Sequence, residues 1–97
     1  MYDKNPEQKI KGTFIVQNDR GLHTRPSTEI VKCASNFKSE VYLIHHKNQV
    51  NAKSLLGILM LAASRGSKIH VEAEGDDAEE AVASLLQLAK NNFNIKY

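Results

Sequence analysis

The sequence predicts an α+β fold: a two-layer sandwich in which helices cover one side of an antiparallel sheet. Segments with the two-residue period of strands and segments with helical spacing follow one another in the order βαββαβα. Each strand segment has one apolar face and each helix one apolar stripe, which calls for a single shared interface between the layers. The 97 residues, 41% hydrophobic and 25% charged, suffice for one modest core and not for two.

Taken in order, residues 1–9 include Pro6 and lack periodicity, so they read as a flexible arm ahead of a domain over 10–93. From Ile10 to Gln17, β-branched and aromatic residues predict a strand with Phe14 and Val16 on one face. A turn at Asn18-Asp19-Arg20-Gly21 leads to a helix whose apolar side is Ser27, Ile30, Val31, Ala34 and Phe37. Residues 36–39 end it. Val41 to Ile44 forms the second strand, with Val41 and Leu43 inward. His46-Lys47-Asn48 then turns into a short third strand around Gln49 to Asn51. The expectation there is a positive φ at Lys47, or a different turn type.

Ser54 is a preferred N-cap for a second helix, Leu55 to Leu61. That helix is apolar nearly all round: Ile58 and Leu61 can face the core, but Leu55, Leu56 and Leu59 cannot all join them. Gly57 inside it costs about 1 kcal/mol relative to Ala and is expected to loosen this surface. After a turn at Arg65-Gly66-Ser67, Lys68 to Glu74 alternates strictly, with Ile69, Val71 and Ala73 inward. Asp76 or Asp77 is expected to cap the last helix, which buries Ala81, Val82, Leu85 and Leu88. Residues 94–97 read as a tail.

Several function classes are excluded. The single cysteine, Cys33, permits no internal disulfide and reads as a packing residue in the first helix. No pair among His23, His45, His46, His70 and Cys33 has a standard ligand spacing, so neither a metal nor any other cofactor is implied. His45 and His46 would point to opposite faces if their strand continued. A net charge of +2 and sheet faces without stacking aromatics argue against nucleic acid as a partner. The polar N-terminus and the lack of a long apolar run lead us to expect a cytoplasmic protein, without signal peptide or membrane insertion.

Chemistry concentrates in Gly21 to Glu29, G-L-H-T-R-P-S-T-E. His23 falls where a strand's exit loop meets the first turn of a helix, a position that tolerates Pro26. The free N–H groups of Thr24 and Arg25, the helix dipole and the Arg25 guanidinium converge there as a seat for an oxyanion. A positive field favours a neutral, nucleophilic imidazole, which suits phosphoryl transfer to and from His23. Each charge-assisted hydrogen bond would contribute roughly 1.5–3 kcal/mol, enough to hold a labile group without trapping it. The same spacing also suits an exposed histidine beside a helix start, with Arg25 as an ordinary surface charge.

With GLHTRP, NAKSLLGILML and EAEGDD in this order and spacing, the chain resembles the HPr family of histidine-containing phosphocarriers from about Phe14 to Phe93. The resemblance implies an open-faced β-sandwich of four antiparallel strands and three helices. It implies that His23 is phosphorylated on Nδ1 by Enzyme I of the phosphoenolpyruvate:sugar phosphotransferase system, and that the group passes to IIA domains of sugar permeases. Such a monomeric carrier is a phosphotransfer intermediate more than an independent enzyme. Arg25, with Thr24, would compensate phosphate charge, and Leu55, Leu56 and Leu59 match the family's docking patch. Ser54 matches the serine that an HPr kinase/phosphatase modifies in some bacteria, though related carriers keep it only as a cap. A regulatory HPr-like module and a nitrogen-branch carrier are the alternatives; the first is disfavoured because His23 is present.

Overall fold

The computed structural model describes residues 9–95. Four antiparallel strands, β1 (Ile10–Ile15), β2 (Glu40–His45), β3 (Asn48–Asn51) and β4 (Lys68–Glu74), form one sheet in the order β1-β4-β2-β3. Three helices, α1 (Thr24–Ala34), α2 (Leu55–Met60) and α3 (Ala78–Lys90), complete the expected α+β order. Along β4 the alternation holds: Ile69, Val71 and Ala73 are fully buried, while Lys68 and His70 are exposed on the opposite face. Val41 and Leu43 of β2 join them from across the register, Val41 opposite Ala73 and Leu43 opposite Val71. Ile30 and Ala34 of α1, Ile58 of α2, and Ala81, Val82 and Leu85 of α3 close the core.

The first strand stops at Ile15 and not at Gln17. Val16 nevertheless exchanges both main-chain bonds with the loop before β4, its N–H donating to Ser67 and its carbonyl accepting from Gly66. The β2–β3 hairpin has two loop residues between the paired His45 and Asn48. Here the positive φ falls on His46 (57°) and not on Lys47. A positive φ at the first central position alone is the II′ pattern, which leaves Lys47 in ordinary backbone space. Because the strand ends at His45, the two histidines do not diverge: their ring centroids lie 4.1 Å apart.

The last helix and the segment beyond it also differ from expectation. Asp77 stands at the N-cap position of α3, but its side chain makes no capping bond. Its carboxylate instead accepts from the Lys38 and Ser39 N–H groups, both at 2.9 Å, and from the Ser39 hydroxyl. It thus ties the α1–β2 connection to the start of α3. Gly75 makes this approach possible, since a Cβ there would sit 2.5 Å from Ser39 Oγ, at a φ of 139°. Beyond α3, Asn92, Phe93 and Asn94 all take positive φ. That turn sends the Phe93 ring onto Phe14 in a T-shaped contact at 5.8 Å and buries Ile95. Residues 1–8 of the expected arm and 96–97 of the expected tail lie outside the described residues.

The Ser39 hydroxyl first, and then the Lys38 N–H, hold the Asp77 carboxyl below its ordinary value. A lowered carboxylate stabilises the fold above the ordinary Asp range, and that contribution is lost as pH falls through the lowered value. Asp77→Asn is expected to lower stability at neutral pH and to flatten the acid limb of the stability–pH curve, read by urea unfolding between pH 7 and 3. Gly75→Ala is expected to cost about 1–3 kcal/mol in the same assay.

Candidate functional site

The loop that presents His23 is fixed by short-range chemistry on both sides. Gly21 takes φ 67° and donates its N–H to Asn18 O at 2.9 Å. A Cβ on Gly21 would lie 2.3 Å from Ala63 O, so only glycine lets this peptide meet the segment after α2. The next N–H, of Leu22, bonds Ala63 O at 2.9 Å, and Leu22 itself is buried. The buried Ser27 hydroxyl donates back to Leu22 O at 3.0 Å, closing the loop over the first turn of α1.

His23 is thereby the N-cap residue of α1, with extended φ and ψ of −76° and −169° and no side-chain capping bond. Its carbonyl accepts from Ser27 N at 3.1 Å, so the imidazole is left out of the helix's own hydrogen bonding. The side chain is half-buried, and Nε2 is sealed from solvent with no partner among the described residues. Thr24 and Arg25 occupy the first two helical positions and are exposed. Their N–H groups have no intrahelical acceptor by position. Pro26, buried third in the helix, has no N–H to satisfy. The first turn of α1 holds no acidic residue, so no carboxylate within it offsets the positive helix end. His23, Thr24 and Arg25 thus follow one another across the N-cap and first turn of α1.

Ser54 and the leucines form a neighbouring surface. The Ser54 hydroxyl caps α2 by accepting from Gly57 N at 3.0 Å. Ile58 and Leu61 are buried, whereas Leu55 (37%) and Leu56 (68%) are exposed and Leu59 is half-buried. The most exposed apolar side chain of the helix is one that sequence reasoning does not single out: Met60, at 72%. The signal is there, since Met60 follows Leu56 by four residues and so shares its face. Gly57 is tighter than expected, because a Cβ there would meet Ser54 Oγ and Val50 Cβ at 3.3 Å. It lets α2 pack against β3. α2 also packs against α1, which places the apolar patch beside the His23 helix.

Among the described residues, no helix is long and apolar enough to cross a membrane. Cys33 is half-buried and burial pushes its thiol up, which suits packing and not nucleophilic work.

Comparison with known proteins agrees with this geometry. A family model described as "PTS HPr component phosphorylation site" matches residues 10–91. The chain is 39% identical over 84 residues to a phosphocarrier protein HPr of Neisseria meningitidis, covering 87% of this chain and 94% of that one. It is 43% identical over 83 residues to the phosphocarrier protein HPr of Cupriavidus necator, covering 86% and 92%. Among solved structures it is similar to an HPr-C-His crystal structure from Thermoanaerobacter tengcongensis, with a TM-score of 0.85, 38% identity and coverage of 91% and 99%.

Ser54→Ala should remove the only side-chain cap of α2 found among the described residues and cost about 0.5–2 kcal/mol in urea unfolding. Ser27→Ala leaves the buried Leu22 carbonyl without its hydroxyl donor; an expected loss of about 1–3 kcal/mol can be read in the same way.

Proposed function

This chain belongs to the HPr family, the phosphocarriers of the phosphotransferase system, and from that premise we propose that His23 is its phosphoryl acceptor. The group would come from phospho-Enzyme I, originating in phosphoenolpyruvate, and pass to IIA domains of sugar permeases, all in the cytoplasm. The observation that carries this reading is the orientation of the imidazole. With Nε2 sealed from solvent, the nitrogen left to meet a donor is Nδ1.

The Nδ1 lone pair attacks phosphorus, the N–P bond forms, and the bond from phosphorus to the donor breaks. Thr24 and Arg25 N–H groups and the Arg25 guanidinium then face the phosphoryl oxygens, stabilising charge as it arrives. The dipole adds ~0.3–1 kcal/mol, a size compatible with onward transfer. Leu55, Leu56 and Leu59, extended by Met60, supply the apolar centre of a transient interface for both donor and acceptor. One shared patch next to one reactive ring means the two partners dock in turn and not together.

Ser54 supports a second, regulatory level. A phosphate added there by an HPr kinase/phosphatase sits at the positive end of α2, while about two negative charges arrive beside Leu55 and Leu56. Such a modification would hinder docking by Enzyme I without touching His23.

Intact mass after incubation with phosphoenolpyruvate and Enzyme I tests the core of this. One acid-labile phosphoryl group is expected, absent in His23→Ala and formed on the order of tenfold or more slowly in Arg25→Ala. No modification under conditions where a known carrier is modified would contradict it. Leu56→Ser is expected to raise the KM for this chain in the Enzyme I reaction with little change in kcat, and Ser54→Asp to slow phosphorylation of His23.

A further inference from the structure

A second group of basic side chains surrounds an open cleft of about 560 Å³ at the end of the sheet where β1 exits toward His23. His45 and His46 line it from the β2–β3 turn, Arg65 through Ser67 from the loop before β4, and Lys68 and His70 from β4 itself. No carboxylate lines it. The acidic group that reaches its wall is Asp19, from the loop after β1, held at 2.8 Å by one nitrogen of Arg65. A guanidinium has five N–H donors, so this pair leaves others available. From β1, Thr13 Oγ1 meets His70 Nδ1 at 3.3 Å and adds no charge.

Two further features bear on what the cleft would hold. The His45 and His46 rings are 4.1 Å apart, with His46 at a φ of 57°, and His45 Nδ1 is buried without a partner among the described residues. Arg65 and Lys68 bring two cationic side chains to the rim, and the three imidazoles bring ring nitrogens that can hydrogen-bond to an anion. Like charges so placed repel one another, and a multivalent anion among them turns repulsion into attraction. A neutral ligand gains nothing from this arrangement, and a cation is repelled.

We propose that this cleft binds a small phosphorylated molecule through a diphosphate or phosphoester group. Arg65 and Lys68 supply charge, Ser67 a hydroxyl donor, and the three histidines ring N–H donors. The site does not depend on His23 being the phosphoryl acceptor.

Amide NMR of the full nitrogen-15-labelled chain, titrated with pyrophosphate at constant ionic strength near neutral pH, reads the two anion seats separately. Saturable shifts are expected at His46, Gly66 and Ser67. They should persist in His23→Ala and weaken at least about fivefold in both Lys68→Gln and His70→Gln. These two side chains are exposed, and unchanged peaks elsewhere report an intact fold. Shifts that fail to saturate, that are confined to Thr24 and Arg25, or that survive both substitutions would overturn the proposal. Equal or tighter binding of citrate would overturn the phosphate assignment.

Discussion

The position of His23 depends on one contact: the Gly21–Leu22 peptide lying directly on the carbonyl of Ala63. Leu22 N–H bonds that carbonyl, and the space where a Gly21 side chain would stand is occupied by it. This pins the start of α1 to the segment after α2. The Ser27 hydroxyl completes the clamp from inside the helix. Helix and loop are thereby tied to the segment that carries the apolar surface of α2, and on the proposed reading a partner docking at Leu55, Leu56 and Leu59 would meet an imidazole already in place. Orientation fixed in advance is worth more to a transfer step than extra contacts made on arrival.

The same clamp gives the G-L-H-T-R-P block a physical meaning residue by residue. The glycine permits the backbone approach, the leucine is buried beneath the loop, and the proline occupies a helical position whose N–H is not needed. What remains is a histidine with one ring nitrogen covered, followed by two exposed residues whose N–H groups have no helical acceptor. Folding has done the positioning, and little is left for the partner to reorganise.

Much of the fold is legible in the sequence because alternation and helical spacing are direct consequences of one-sided burial. Ile69, Val71 and Ala73, or Val41 and Leu43, need only a period of two to be placed inward. The larger departures involve partners distant in sequence. Asp77 looks like a helix cap because local chemistry favours it, but Ser39 and Lys38, some 38 residues away, offer three donors at once. Phe93 and Ile95 look like the edge of a tail, since a triple left-handed turn that folds them onto the core has no glycine to announce it. His46 takes the strained position because a II′ turn strains its first central residue, a choice of turn type that His-Lys does not specify. In the site, spacing puts His23, Thr24 and Arg25 at a helix start but suits an ordinary exposed histidine as well, and it is the resemblance carried by G-L-H-T-R-P that singles them out. Met60 is hard to single out because the helix is apolar on every side.

On the proposed reading, the protein leaves Nδ1 of His23 for chemistry and seals Nε2. Long-range nitrogen–proton NMR of the imidazole in the phosphorylated chain tests it most directly, since the two ring nitrogens and their couplings to phosphorus are distinguishable. The expected result is phosphorus on Nδ1, with Nε2 in the chemical environment of a buried nitrogen. Phosphorus on Nε2 would contradict the account, because it would require the covered side of the ring to turn outward and the loop held by Gly21 and Ser27 to open.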